Sequence, residues 1–184
     1  MRIIAGSARS RAIIAPEGRD TRPTLDRVRE NLFNILMRRV PGAQVLDLFA
    51  GSGALSMEAV SRGAARAVLV DHDRAAIRCI QQNIAALRFE AETRVIPADW
   101  KAAVSLLEQE GARFDIIFLD PPYKMHDLSE VARRLIPLLA EDALVVVEHE
   151  ARTMPALCEG FDMTDSRKWG VACVSFFRYV AQEG

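Results

Sequence analysis

Cysteine is scarce in this chain of 184 residues: Cys79, Cys158 and Cys173 are odd in number and far apart. That spacing offers neither a disulfide framework nor a Cys-x-x-Cys metal site, so each is expected as a buried or half-buried thiol. His72, His126 and His149 lack a second ligand three or four residues on, and structural roles are expected for them; no metal is called for. An excess of either charge is missing too, with Lys+Arg 24 against Asp+Glu 25 and a pI of about 6.3. A protein that coats nucleic acid by bulk charge is thereby excluded, and any polyanion site must be local. No run approaches the roughly 20 apolar residues of a membrane span, and Met1-Arg2-Ile3-Ile4-Ala5-Gly6 lacks a signal-peptide core, so no membrane partner and a cytoplasmic location are expected. Repeats, low-complexity tracts and linkers are absent as well. One domain over residues 1–184 is expected, with a basic N-terminal arm at 1–23 and a core at 24–184.

What is present is a regular alternation. Ile3-Ile4 and Ile13-Ile14 flank the basic turn Gly6-Ser7-Ala8-Arg9-Ser10-Arg11, which reads as a short β-hairpin; Arg19 and Arg22 follow. These arginines suit either a solvated turn or a phosphate-contacting patch. From Thr24, a plausible N-cap, Leu25, Val28, Leu32, Ile35 and Leu36 share one helical face up to Pro41-Gly42. Strands are expected at 44–49, 66–71, 93–97, 114–119, 142–149, 161–168 and 171–179, with helical patterns near 53–63, 73–87, 99–109 and 126–138. Continuous apolar runs such as Ala67 to Val70 and Ala143 to Val147 require a sheet covered on both faces. The expected fold is therefore α/β and Rossmann-like: a mostly parallel seven-stranded sheet, helices on both faces, and an antiparallel C-terminal hairpin turning at Trp169-Gly170.

Two motifs carry the chemistry. Asp47-Leu48-Phe49-Ala50-Gly51-Ser52-Gly53 stands between the first strand and its helix, and Asp71 closes the next strand. Glycines there let backbone approach a ligand, and the acid suits a ribose diol. A dinucleotide would want a third glycine where Ser56 stands; S-adenosylmethionine, with its amino-acid end and sulfonium, suits Asp47 and the carbonyls around Phe49, Ala50, Gly51 and Gly53 better. Asp99 is placed to accept from the adenine amine, or to cap a helix, or both, with Trp100 a packing surface for the base. The second motif, Asp120-Pro121-Pro122-Tyr123, follows the apolar run 114–119. Two prolines stop the strand and leave carbonyls facing out, Asp120 adds a carboxylate, and Tyr123 adds a flat ring. The same residues suit a plain strand-ending turn. Beside a nucleotide-like site they suit the exocyclic amine of a nucleobase.

With these motifs in order on successive strand ends, the chain resembles class I S-adenosylmethionine-dependent methyltransferases that act on exocyclic amines. Met1-Arg2-Ile3-Ile4-Ala5-Gly6, Arg22-Pro23-Thr24, the run Asp26 to Leu36, Gly51-Ser52-Gly53-Ala54-Leu55, Ser61-Arg62-Gly63-Ala64, Val147-Glu148-His149 and Ser175 to Tyr179 are similar to the RsmD family, bacterial enzymes that methylate N2 of one guanine in small-subunit ribosomal RNA. The resemblance covers nearly the whole chain. It implies that the glycine turn and Asp71 hold S-adenosylmethionine, leaving S-adenosylhomocysteine as product, and that Asp99 recognises adenine. Asp120, Pro121, Pro122 and Tyr123 would then hold a flipped guanine as the catalytic group, and Thr24, Arg27 and Phe33 would lie near the cofactor. Arg9, Arg11, Arg19 and Arg22 are expected to anchor RNA phosphates, the RNA being free or in an assembled ribonucleoprotein particle, and the protein acting as a monomer. Rival readings are a methyltransferase for adenine N6 and a non-catalytic RNA-binding assembly factor; protein glutamine methyltransferases carry Asn where Asp120 stands.

Overall fold

A computed structural model of the protein describes residues 1–16, 23–122, 125, 127–152 and 154–181, with the backbone alone at 23–25. Helix α1 (Pro23–Ile35) precedes β1 (Gln44–Asp47), α2 (Ala54–Ser61), β2 (Arg66–Asp71), α3 (Arg74–Leu87), β3 (Thr93–Pro97), α4 (Trp100–Gln109) and β4 (Phe114–Leu119). Helix α5 (Ser129–Leu135) runs into a 3-10 turn, and β5 (Leu139–Glu150), β6 (Phe161–Trp169) and β7 (Ala172–Tyr179) follow. The sheet order is β3-β2-β1-β4-β5-β7-β6, parallel from β3 through β5 and antiparallel for β7 and β6. The expected fold is observed.

Alternation along the parallel strands divides the core. Val45, Leu69, Phe118 and Val146 meet α1, α2 and α3, whereas Leu46, Val70, Leu119 and Val147 meet α4 and α5. The chain leaves β1 outward in one direction and β4 outward in the other, so a crevice opens at the carboxyl ends of β1 and β4. Ligands of open α/β sheets bind at such a switch point. Strands β3 and β6 are the two edges; the mostly exposed, charge-rich sequence of β6 protects it from further pairing.

Several boundaries differ from expectation for physical reasons. Strand β1 stops at Asp47 because Leu48 and Phe49 already belong to the glycine turn, tied to the neighbouring strands by Leu48 N–H to Phe118 O (3.2 Å) and Ala50 N–H to Val70 O (2.9 Å). Thr24 is not the N-cap of α1: the helix already includes Pro23, a residue preorganised for a first turn. The helix also ends at Ile35, 42% exposed, and turns lead to Pro41-Gly42. Strand β5 begins three residues early, pairing Leu139 with Phe114, and the register then shifts before Leu144 meets Ile116, with Asp142 at φ 61 inside the irregular stretch. The last hairpin turns at Gly170-Val171, with Trp169 still paired to Ala172.

The N-terminal hairpin forms with an Arg2–Ala12 bridge, but it lies against the core instead of standing off it: Ile3, Ala8 and Ile13 are buried. Gly6 explains how closely it docks. At φ +85 it presses on α2, and a Cβ there would come within 1.7 Å of Ser61 O. Ser7 N–H donates to Ser61 O, and Ala8 N–H to Ser61 Oγ. The carboxylate of Glu58, 0% exposed, accepts from the N–H groups of Ile4 (2.8 Å) and Ala5 (3.0 Å) and from Arg62 Nε (2.7 Å).

Candidate active site

The glycine turn is shaped by Gly53, whose φ of +76 starts α2; a Cβ there would meet Leu69 Cδ2 at 2.9 Å. Asp71, at the end of β2, accepts from Gly51 N–H through Oδ2 (2.8 Å) and from Asp73 N–H through Oδ1 (2.9 Å). Each carboxylate oxygen keeps a second lone pair, and the side chain is 11% exposed, so the group can both hold the turn and accept a hydroxyl. Asp99 caps α4 through Oδ1 to Lys101 N–H (2.9 Å), and among the described residues no hydrogen bond takes Oδ2. Capping and ligand recognition thus use different oxygens.

Asp47 lies beneath the turn, 1% exposed, and Ser56 Oγ donates to its Oδ2 at 3.0 Å. Ser56 is therefore a site residue whose role was not legible in sequence, where it registered only as a missing glycine. Burial pushes the Asp47 carboxyl up to about 7, with Asp120 and Asp71 adding repulsion and the Ser56 hydrogen bond opposing it. The carboxyls of Asp47, Asp71 and Asp120 therefore concentrate negative potential at the strand ends. Together with Asp99, this set of acceptors fits a cationic cofactor that carries an ammonium, a ribose diol and an adenine amine.

Asp120 is exposed one residue past β4, and Pro121 is half-buried. Pro122 O accepts from Met125 N–H at 2.8 Å, which folds the lip back and commits the second proline's carbonyl to the turn. Beside the lip lies a groove of about 710 Å³, whose lining includes Asp120, Pro121, Met125, Val147, Glu148 and Val171. Its volume is in the range of small-ligand sites. Burial, then the charge of Asp120, raises the Glu148 carboxyl to about 8.

Other expected site residues are placed differently. Trp100, 9% exposed, is packed into the core with the Lys101 ammonium 5.4 Å from its ring centre, so it offers no open platform for a base. Phe33 is buried against Phe118 at 5.9 Å, which makes it core. Arg11 donates to the carbonyls of Leu87 and Ala86, so its guanidinium caps the C-terminus of α3 while the residue stays exposed. Arg9 and Arg27 are exposed. Tyr123, Arg19, Arg22 and the side chain of Thr24 lie outside the described residues. Asn83 joins the N-terminal segment to the glycine turn, donating to Ile14 O (3.0 Å) and Ser52 O (2.9 Å).

The raised carboxyls have a consequence for folding. Unfolded, such groups titrate near about 4. A carboxyl raised on folding stabilises the native state below its unfolded pKa, and that contribution is lost as pH climbs through the folded value. For Asp47 and Glu148 this loss runs from the unfolded range up to about 7 and about 8. The melting temperature of the cofactor-free protein is therefore expected to fall between about pH 5 and 8. Asp47→Asn with Glu148→Gln should flatten that fall in a pH series of thermal melts.

Residues 1–178 match the family model described as "Conserved hypothetical protein 95". The chain is 43% identical over 162 residues to "Ribosomal RNA small subunit methyltransferase D" of Escherichia coli, covering 85% of this chain and 80% of that protein. It is 35% identical over 181 residues to "Putative rRNA methyltransferase YlbH" of Bacillus subtilis, covering 97% and 98%. Among solved structures, "Putative methyltransferase yhhF from Escherichia coli" superposes with TM-score 0.83 at 36% identity over 99% of both chains. With near-complete coverage in sequence and fold, the chain belongs to the conserved hypothetical protein 95 family, that of the small-subunit ribosomal RNA methyltransferase D proteins.

Proposed function

We propose that this protein methylates the exocyclic N2 amine of a guanine in small-subunit ribosomal RNA. Methyl transfer from S-adenosylmethionine to ribosomal RNA is the activity of its family; the base, the atom and the site residues are the finer reading. The observation that carries it is the juxtaposition of the Asp120-Pro121 lip with the acidic turn across the β1–β4 switch point. Asp47, Asp71 and Asp99, with the backbone of 49–53, would hold the cofactor, which supplies a methyl group on a sulfonium sulfur.

The chain must make a poor nucleophile competent. The lone pair of the guanine amine is delocalised into the ring, so two acceptors that each take one N–H, Asp120 and the Pro121 carbonyl, would bias nitrogen toward a tetrahedral geometry. Pro122 O is held by Met125, which leaves Pro121 as the acceptor at the lip. The lip's contribution is positioning and charge placement. Tyr123 would stack on the base, worth roughly 1–3 kcal/mol. A paired base cannot reach a strand end, so the target must be looped out or flipped.

Inosine lacks only the N2 amine. Small-subunit ribosomal RNA carrying inosine at the modified position is expected to accept no methyl group there; retained incorporation would move the reading to another atom. Arg9, exposed on the hairpin turn, is proposed as the RNA anchor on the described part of the arm. Arg9→Glu should weaken RNA binding and lower the salt slope by about 1. Unchanged binding across a salt titration would remove the arm from recognition.

A further inference from the structure

Glu148 is a carboxyl that, among the described residues, has no hydrogen-bond or ion-pair partner and feels the charge of Asp120. It sits on β5 next to β4, and the pairing of Leu119 with Val147 sets Asp120 and Glu148 level on adjacent strand ends. Neighbouring strands run roughly 4.8 Å apart, so the two carboxyls face one groove as a pair. Across the sheet Glu148 is paired with Val174, which is buried and apolar. Among the described residues no hydrogen bond and no ion pair reaches Glu148, although Arg152 and Lys168 line the same groove. The carboxyl is half-buried and lines the groove, where it is open to a ligand.

The neighbouring histidine does not compete for that role. His149 has Nδ1 at 2.9 Å from Glu150 O and Nε2 at 2.8 Å from Ser175 Oγ, and Ser175 continues to Ser166 at 2.9 Å. Both ring nitrogens are thus committed to the sheet. On the β5 wall the recognition group is Glu148.

We infer that Glu148 reads the N1–H of the target base, and so selects guanine over other bases that carry an exocyclic amine. This rests on the N2 reading of the site. The Watson–Crick edge of guanine places N1–H directly beside the N2 amine; with Asp120 and the Pro121 carbonyl on the amine hydrogens, the next acceptor along the edge meets N1–H. While Glu148 is ionised, adenine's unprotonated N1 lone pair would face a carboxylate with no hydrogen between them, so the discrimination is expected to grow as pH rises through about 8. Sites built to satisfy one polar edge reject the analogue that lacks it, because their own group is left unpaired. The burial and the Asp120 charge that raise this carboxyl also make an N–H donor more valuable to it.

2,6-Diaminopurine keeps the N2 amine but has an unprotonated N1, with an amine in place of O6; 2-aminopurine, with hydrogen at C6, controls for the change at that position. Small-subunit ribosomal RNA with guanine or 2,6-diaminopurine at the modified position is offered to the full chain, as free RNA and in reconstituted particles, with kcat/KM measured. The wild-type protein should favour guanine by at least about 30-fold. Glu148→Gln replaces the carboxyl by an isosteric amide that can accept from guanine N1–H or donate to an unprotonated N1; it should bring the two bases within about threefold, with cofactor binding by calorimetry unchanged. If Glu148→Gln keeps the wild-type preference for guanine, the inference is overturned. If the wild-type protein makes no N2-methylguanine on the guanine RNA, the N2 reading itself fails, which is a separate result.

Discussion

Asp120→Ala is expected to lower methyl transfer by about 10²- to 10³-fold or more while cofactor binding, followed by calorimetry, stays within a few-fold of wild type. The split follows from position. Asp120 stands past β4, on the far side of the switch point from the glycine turn and Asp71, so its loss would remove the acceptor proposed for the amine and leave the proposed cofactor contacts in place. The substitution also removes a charge that raises both Asp47 and Glu148, so repulsion within the site is relieved. Loss of turnover is therefore expected in a protein that remains folded. Near-normal kcat in this variant would end the proposed role of the lip.

Glu58→Ala should show the largest effect on stability, about 3–5 kcal/mol, a melting temperature lower by about 6–20 °C. One fully buried carboxylate accepts two N–H groups of the hairpin and Arg62, and lies 3.8 Å from Arg29 Nε. Arg29, itself 4% exposed, donates to Arg2 O (2.6 Å) and Asp26 (2.9 Å), and its burial lowers its pKa despite both acids. Truncating Glu58 leaves the N–H groups of Ile4 and Ala5 and the half-buried Arg62 without this acceptor, and Arg29 with Arg2 O and Asp26 alone, a cost that no exposed ion pair on this surface approaches. Glu58→Gln, which keeps one oxygen, should lose less. A drop below about 1 kcal/mol for Glu58→Ala in thermal or urea melts would mean that water or a neighbour takes over the cluster.

Local pattern carried much of the architecture. The apolar run 114–119 followed by Asp120-Pro121-Pro122 announces both a buried strand and its abrupt end, and Gly51 and Gly53 between strand and helix mark a ligand turn, because backbone constraints act over a few residues. Three features depended on long-range packing and were not legible. Glu58 reads as a helical surface acid until the hairpin, far away in sequence, lays its N–H groups against it. Ser56 reads as a departure from a glycine pattern until the turn brings Asp47 under its hydroxyl. Trp100 and Arg11 read as open to a ligand, yet the first completes the core beneath α4 and the second caps α3. Glu148 belongs with these: its meaning comes from the absence of a partner among the described residues and from the neighbour that strand pairing places beside it.

The most direct measurement of the central claim is nucleoside analysis by mass spectrometry of small-subunit ribosomal RNA incubated with the protein and isotopically labelled S-adenosylmethionine. The label is expected in N2-methylguanosine at one position, and absent when Asp120→Ala replaces the wild-type protein. Label in N6-methyladenosine, or in no nucleoside of this RNA, would contradict the account.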